Sequence, residues 1–316
     1  MTIERHQVEE GPEGRAAWLR LREGNVNASE VGALFGDHPY LTAFELYTNK
    51  TGLTKGHGPD EGVLRRGRIL EGGVAQAVAE ARPDWRITKA THYLSDRGAR
   101  IGATPDFIVE CPRRGRGVLQ TKTCGPMPAQ MAHWGVSKIS DWEHEAFPPL
   151  WIQLQTLTEQ MLEDVSWGAI GAMLIDGNTL PLRICEFDRH TAAEGRLIAA
   201  VAKFWTDAAG GVAPTPNYAR DNDVVRALYP NANGETLDLS ADNRMQTLLA
   251  EYDELQTRTK ADDAAMKAVK TEIFAKLGHA GKACLPGWII KAPTIATHGY
   301  TVGPKTYRRL TICRTH

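Results

Sequence analysis

The sequence lacks the features that mark several special classes of protein. Its 5 cysteines are odd in number and widely spaced, without a CxxC or Cys/His pair, so neither a disulfide framework nor a structural zinc site is expected. No run of about 18 uncharged apolar residues occurs. Charged residues, Glu4 and Arg5, stand where a secretory signal has its apolar stretch. We therefore expect a cytoplasmic protein with reduced thiols and no membrane partner.

The chain also lacks an excess of either charge. Its 37 Lys+Arg and 38 Asp+Glu give a net charge of -1, so bulk electrostatics do not favour a nucleic-acid partner. Any DNA-binding surface must be local, and two arginine groups are candidates for it: Arg65, Arg66 and Arg68, and Arg113, Arg114 and Arg116. A hydrophobic content of 42% and a charged content of 24% are typical of globular proteins and exclude wholesale disorder.

A length of 316 residues favours about two domains. The proline-rich segment 212–218 marks a boundary, because proline continues neither a helix nor a central strand. We predict a core over 1–212, a linker over 213–239 and a C-terminal region over 240–316. In that region a 3-then-4 spacing of apolar residues predicts a long helix or a helical hairpin that begins near Asp238 or Ser240 and ends at Gly278. Short strands are expected over 288–291 and 307–312.

Helical and strand-like patterns alternate in the first region, which predicts an α/β fold. Helices are expected over 28–35, with Asn27 as N-cap, over 65–81 and over 150–162. Strands are expected over 103–110 and 117–123, joined as a hairpin by the basic turn 111–116, and over 167–175 and 180–187.

Several polar residues on these elements suit a magnesium-dependent phosphodiesterase. Mg²⁺ prefers about six oxygen ligands and is typically held by one or two carboxylates, carbonyls and waters. Glu71 on a helix and Asp106 on a strand supply carboxylates. Gln120 and Lys122 lie two apart on the next strand and share a face, and the carbonyl of Thr121 lies between them. A lysine amine there can orient water and stabilise developing negative charge.

The order of these residues resembles the lambda exonuclease and YqaJ viral recombinase group of the PD-(D/E)xK nucleases. Five short motifs carry the resemblance over about residues 18–175: Trp18…Arg22, Asn27-Ala28-Ser29-Glu30-Val31, Arg66-Gly67-Arg68-Ile69-Leu70-Glu71, Thr104-Pro105-Asp106 with Gln120-Thr121-Lys122, and Gln153-Leu154-Gln155.

The resemblance implies a nuclease core with a central mixed sheet flanked by helices, and Mg²⁺ dependence with Mn²⁺ as a substitute. It implies digestion of one strand of linear double-stranded DNA from the 5′ end, in phage-type recombination with a single-strand annealing protein, by a ring-shaped homotrimer. Position by position, it makes Glu71, Asp106, Gln120 and Thr121 metal-site residues, and Lys122 and Gln155 further catalytic residues. It places Arg22, Ser29 and Thr104 at a 5′-phosphate, which a planar guanidinium binds bidentately.

One residue departs from the family pattern, because Gln120 stands where the family usually has glutamate. A neutral amide is a weaker Mg²⁺ ligand than a carboxylate. Two alternatives to an exonuclease therefore stay open: a structure-specific endonuclease of the same superfamily, or a non-catalytic protein that binds DNA ends through a weakened site.

Overall fold

The structure is a computed structural model, and it describes residues 2–9, 11–54, 61–296, 308, 310 and 312. The chain divides into two compact units, Met1–Tyr229 and Pro230–His316. This division falls inside the predicted linker, and the boundaries at 212 and 240 stay predictions. Of the predicted strand over 307–312, residues 307, 309 and 311 lie outside the described residues, and 308, 310 and 312 belong to no strand.

The first unit is a mixed α/β structure, which confirms the predicted fold class. Its strands are β1 (Ile3–Gln7), β2 (Val26–Asn27), β3 (Arg86–Lys89), β4 (His92–Asp96), β5 (Ile101–Ala103), β6 (Phe107–Cys111), β7 (Gly115–Cys124), β8 (Trp167–Leu174) and β9 (Leu182–Asp188). Its helices are α1 (Gly11–Glu23), α2 (Ala43–Lys50), α3 (Glu61–Ala81), α4 (Pro128–Ala132), α5 (Trp142–Glu145), α6 (Leu150–Glu163), α7 (Thr191–Ala209) and α8 (Asn222–Leu228).

The strands form two sheets. The larger sheet has the order β3-β6-β7-β8-β9 and is mixed, because β7 and β8 are parallel while the other neighbours are antiparallel. The predicted hairpin β6–β7 and strand pair β8–β9 are both present. The smaller sheet has the order β1-β4-β5-β2, and this sheet was not predicted.

The large sheet is covered on both faces. Helix α3 packs against β7 and β8 on one face, and its approach is close at Gly171, where a Cβ atom would lie 2.7 Å from Val78 Cγ2. Helix α6 packs against the same two strands and also contacts β4 and β5 of the small sheet. Because α6 lies between the sheets, nearly all its side chains after the first turn are buried, polar ones included.

The prediction of a helix over 28–35 was wrong. The chain forms strand β2, a turn, and a single 3-10 turn over Val31–Phe35. The Asn27 side chain caps no helix, because its amide donates to the carbonyl of Arg22 and to the carboxylate of Glu30. These local bonds, which asparagine forms readily, compete with helix formation.

Part of the predicted linker is ordered against the first unit. Asp221 accepts a hydrogen bond from the Thr42 hydroxyl at 2.6 Å, and Arg220 donates to the carbonyl of His38 at 2.8 Å. Helix α8 follows directly. The proline-rich pattern therefore marks an irregular segment at 212–217, and regular structure resumes with a turn at 218–220 and helix α8.

The second unit contains the predicted long helix, α9 (Asn243–Leu277), which begins after the N-cap Asp242 and ends at Gly278. It is one continuous helix through Asp262 and Asp263, not a hairpin. A β-hairpin follows, formed by β10 (Lys282–Leu285) and the predicted strand β11 (Trp288–Lys291).

Four of the five cysteines lie in the part of the chain that the structure describes. Cys111, Cys124, Cys185 and Cys284 are free thiols, the first three of them buried, and Cys313 lies outside the described residues. Over the same residues, no helix combines the length and apolar character needed to cross a bilayer.

A buried carboxylate at the end of α6 joins the two sheets. Glu163 accepts hydrogen bonds from Arg5 on β1 at 2.8 Å and from His92 on β4 at 2.8 Å, and it also pairs with Arg116 on β7. Burial alone would raise the pKa of Glu163, but the bonds and charges of His92 and Arg5 outweigh that effect, and the pKa is lowered.

We expect Glu163→Gln to lower the free energy of unfolding by about 2 kcal/mol at neutral pH. This is less than the ~3–5 kcal/mol of a fully buried pair, because Arg5 and Arg116 are half exposed. Since the folded pKa lies below the unfolded value of about 4.3, the contribution is complete above that value and is lost as the pH falls through the folded pKa. Urea unfolding over a pH series measures both effects. Asp207→Asn, which breaks an exposed pair with Lys203, should change little; equal losses in the two variants would contradict the expectation.

Candidate active site

The residues singled out from the sequence line one cavity of the first unit. Its volume is about 510 Å³. Six of the predicted site residues contribute to its walls: Glu71 from α3, Asp106 before β6, Gln120, Thr121 and Lys122 from β7, and Gln155 from α6. Ser29 also lines it, whereas Arg22 and Thr104 reach it only through neighbours.

Asp106 is held in a fixed orientation by its neighbours on β7. Its Oδ2 accepts hydrogen bonds from the Thr121 amide at 2.9 Å, the Thr121 hydroxyl at 2.9 Å and the Gln120 side-chain amide at 2.5 Å. Among the described residues none donates to Oδ1, so this oxygen is available to a cation. Because the N–H and C=O of one strand residue face the same edge, the Thr121 carbonyl also points toward Asp106.

Glu71 faces the same place from the other side of the sheet, where it forms an ion pair with Lys89 of β3. The Lys89 ammonium also interacts electrostatically with Asp106, which raises its pKa, although burial lowers the pKa more strongly. The Lys89 ammonium therefore interacts with both carboxylates, Glu71 and Asp106, as a bound cation would. Sequence reasoning missed Lys89, because a lysine on an exposed strand carries no distinguishing pattern.

Gln120, Lys122 and Gln155 form a connected set on the α6 face of the sheet. The Gln155 amide nitrogen donates to Gln120 Oε1 at 2.9 Å, and the Lys122 amine donates to Gln155 Oε1 at 3.1 Å. Gln120 therefore turns its oxygen toward Gln155 and its nitrogen toward Asp106. In this arrangement it positions Asp106 as a donor, and it would have to rotate its amide to become a metal ligand.

A second buried carboxyl lies behind this set. Glu159, one helical turn after Gln155, is fully buried and accepts a hydrogen bond from the Gln155 amide at 3.0 Å. Burial raises the pKa of Glu159 well above its usual range, Asp106 raises it further, and Lys122 opposes both. Burial lowers the pKa of Lys122, against the carboxylates of Asp106 and Glu159. Sequence reasoning missed Glu159, although its position four residues after Gln155, on the same face of a helix, was a usable signal.

The three residues assigned to a 5′-phosphate lie together around Trp18. Arg22 donates to the Ser29 hydroxyl at 3.1 Å and stacks 4.5 Å from the centre of the Trp18 ring. The Trp18 indole donates to the Thr104 hydroxyl at 2.9 Å. The buried Lys50 also donates to the Arg22 carbonyl at 3.0 Å, which fixes the backbone of this group.

The candidate arginines separate into two groups. Arg66 lines the cavity, while Arg68 pairs with Glu61 at 2.7 Å. The arginines of the β6–β7 turn lie at the far end of the hairpin from Asp106, at about 3.3 Å per residue, and they are ion paired: Arg113 with Asp84, Arg114 with Glu186 and Asp188, and Arg116 with Glu163. The turn therefore contributes structural ion pairs rather than positive surface at the cavity.

The donor set suits a hard divalent cation. Asp106 Oδ1, Glu71 and the Thr121 carbonyl are oxygen donors, and Mg²⁺ is commonly held by one or two carboxylates with waters completing its shell. Within the described ranges no group of three or more His, Cys, Asp or Glu side chains is placed to hold a metal. Two carboxylates and a carbonyl, without His or Cys, are oxygen donors of the kind that Mg²⁺ accepts.

Comparison with known proteins identifies a matching domain family and similar proteins. Residues 17–152 match the model of the YqaJ-like viral recombinase domain, which confirms the resemblance predicted from the motifs. The uncharacterized protein YqaJ of Bacillus subtilis (strain 168) is 24% identical over 254 residues, which cover 78% of this chain and 75% of that protein.

Two solved structures are also similar. The alkaline exonuclease LHK-Exo from Laribacter hongkongensis matches with a TM-score of 0.45 and 17% identity, over 67% of this chain and 100% of that one. The structure of LHK-Exo in complex with dAMP matches with a TM-score of 0.46 and 16% identity, over 67% and 98% of the two chains.

Proposed function

We propose that the protein is a magnesium-dependent deoxyribonuclease that removes nucleotides stepwise from one strand at an end of linear double-stranded DNA, in the 5′ to 3′ direction, during recombination or end resection. The convergence of Asp106, Glu71, the Thr121 carbonyl and the Lys122 amine on one cavity carries this proposal. The match to a viral recombinase domain and the similarity to an alkaline exonuclease support a nuclease acting in recombination.

The residues of the cavity divide the chemistry between them. Asp106, Glu71 and the Thr121 carbonyl would hold Mg²⁺, which when bound lowers the pKa of water and neutralises phosphate charge. Lys122, held by Gln155, offers its amine to the attacking water or to a phosphate oxygen. Arg22, Ser29 and Thr104 offer a guanidinium and two hydroxyls to a terminal 5′-phosphate, and this anchoring would place the first phosphodiester beside Lys122.

The test is digestion of linear duplex DNA labelled at either the 5′ or the 3′ end, with and without Mg²⁺ or Mn²⁺. The proposal expects mononucleotides released first from the 5′ label, faster digestion of 5′-phosphorylated ends, and no attack on closed circles. Nicking of closed circles would identify an endonuclease instead. Metal-independent binding to ends without any release of nucleotides would identify the non-catalytic alternative.

Arg22→Lys should reduce the preference for phosphorylated ends. Lysine keeps the charge but loses the bidentate geometry, and the loss of one charge-assisted bond is worth about tenfold. We expect about tenfold slower digestion of 5′-phosphorylated duplex and less than a twofold change on unphosphorylated duplex. Arg20→Lys, on the exposed side of the same helix, is the matched control. Equal slowing of Arg22→Lys on both substrates would contradict a role at the phosphate.

Two further properties are proposed from the resemblance. A ring-shaped homotrimer would keep the enzyme on one DNA molecule through many cycles, and a single-strand annealing protein would take up the remaining strand. Sedimentation equilibrium of the full chain measures the first, since a trimer has three times the 34.8 kDa mass of the chain.

A further inference from the structure

Glu159 is the one buried carboxyl on the α6 face of the site, within the described part of the chain, that the proposed chemistry does not use. Glu159 is fully buried, and its Oε2 has no hydrogen-bond partner among the described residues. A buried acceptor without a partner is costly and is rare in folded proteins. Such a group therefore calls for a role that outweighs its cost.

The hydrogen bonds of the site give Glu159 a direct connection to Asp106. The amide nitrogen of Gln155 donates both to Glu159 Oε1 and to Gln120 Oε1, and the Gln120 amide nitrogen donates to Asp106. The chain of two amides has a carboxyl acceptor at each end. If Gln155 were turned around, its oxygen would face Gln120 Oε1 and Glu159 Oε1, and its nitrogen would face the Lys122 amine. Glu159 thus helps to fix the amide that holds Lys122.

Charge adds a second connection. Glu159 interacts electrostatically with Lys122 and with Asp106. Asp106 and Glu159 are the two carboxyls that act on the charge of Lys122. Because Gln120 beside Asp106 is neutral, Glu159 supplies the second carboxyl that position 120 lacks.

We infer that Glu159 is a positioning residue that replaces, from helix α6, the carboxylate that position 120 lacks: it balances Lys122 and holds Gln155 in the orientation that presents the lysine amine to the cavity. This inference rests on the proposed nuclease function for its catalytic consequence. Its electrostatic consequence does not require catalysis, because a Lys122 ammonium that has lost the opposing carboxyl of Glu159 leaves more positive charge near Asp106 and weakens the binding of a divalent cation there.

The experiment compares Glu159→Gln, Gln120→Glu and the double exchange Gln120→Glu/Glu159→Gln in the full chain. Glutamine has the shape of glutamate, so unfolding midpoints should confirm that all variants fold. Glu163→Gln, one turn further along the same helix, is the control for loss of a buried carboxylate away from the cavity. Two quantities are measured: Mn²⁺ affinity by electron paramagnetic resonance without DNA, and the rate of duplex digestion with saturating Mg²⁺.

We expect Glu159→Gln to weaken Mn²⁺ binding about fivefold and to slow digestion at least tenfold, with affinity for duplex ends in EDTA unchanged. Gln120→Glu alone should speed digestion by less than twofold. The double exchange should digest at least tenfold faster than the product of the two single effects predicts, because the carboxylate has only moved. In Glu163→Gln, Mn²⁺ affinity should stay within twofold of the natural protein.

Either of two results would overturn the inference. One is an unchanged Mn²⁺ affinity in Glu159→Gln, and the other is a digestion rate of the double exchange equal to the product of the two single effects. The failure of the proposed function looks different: the natural protein would bind Mn²⁺ but release no nucleotides. In that case the Mn²⁺ affinities of Glu159→Gln and of the double exchange still decide whether Glu159 supplies charge to the site.

Discussion

Asp106→Asn is expected to reduce the digestion of linear duplex about 10³-fold at saturating Mg²⁺. The substitution leaves an oxygen that can still accept from the Thr121 amide, so the local backbone is retained, but it removes the charge of the carboxylate that faces the cavity. Removing one group that stabilises charge in a transition state commonly costs about 10²–10³ in rate. At Mg²⁺ concentrations below saturation, the loss of metal affinity should slow digestion further.

Two measurements separate this loss from unfolding. Calorimetric titration with Mn²⁺ should show binding weakened at least tenfold, while the unfolding midpoint stays close to that of the natural protein. Asp176→Asn, at a turn between β8 and β9 that does not line the cavity, should digest normally. More than a tenth of the natural rate in Asp106→Asn would mean that the cation is held elsewhere.

Lys122→Met is expected to slow digestion about 10²-fold or more while leaving Mn²⁺ binding intact or slightly tighter. Methionine fills most of the lysine stem volume but has no amine to orient water or to contact a phosphate oxygen. Positioned acid–base or electrostatic groups contribute about 10²–10⁴ in rate. Cation affinity should not fall, because a positive charge leaves the neighbourhood of Asp106.

Single-turnover digestion separates chemistry from product release in this variant, and Lys203→Met on the exposed side of α7 is the control. The pair of outcomes is diagnostic, because Asp106→Asn loses both metal affinity and rate whereas Lys122→Met loses rate alone. A Lys122→Met protein with weakened Mn²⁺ binding would show that the substitution disturbs the site rather than its chemistry.

Much of the site could be predicted because its residues lie in short contiguous segments of the sequence. Asp106 follows a proline and directly precedes β6 rather than lying on the strand as predicted, because β6 begins at Phe107. Gln120, Thr121 and Lys122 alternate across the next strand, so the period of two already fixes their faces. The antiparallel hairpin then brings Thr121 to Asp106. The long helix α9 was predictable for a similar local reason, since its 3-then-4 apolar spacing continues on both sides of the Asp262–Asp263 interruption.

What the sequence did not reveal depends on contacts between distant segments. Strands β1 and β4 pair residues about 90 positions apart, as in Ile3 with Asp96, and neither strand is long enough to show a clear alternation. Lys89 becomes part of the site only because β3 adds to the edge of the large sheet beside β6. Residues 28–35 have a composition typical of a helix. The Asn27 and Glu30 side chains form local hydrogen bonds instead, and only one 3-10 turn results.

Helix α6 connects the cavity to the ion pairs of Glu163, which lie between the two sheets of the first unit. The helix carries Gln155, Glu159 and Glu163 at successive turns, and Glu163 ties its end to Arg5, His92 and Arg116. Loss of these ion pairs would lower the stability of the fold around α6 without removing a group from the cavity. Selection for nuclease activity at raised temperature should therefore score Glu163 as sensitive, and second-site revertants should be stabilising substitutions along α6 and the edge of the small sheet.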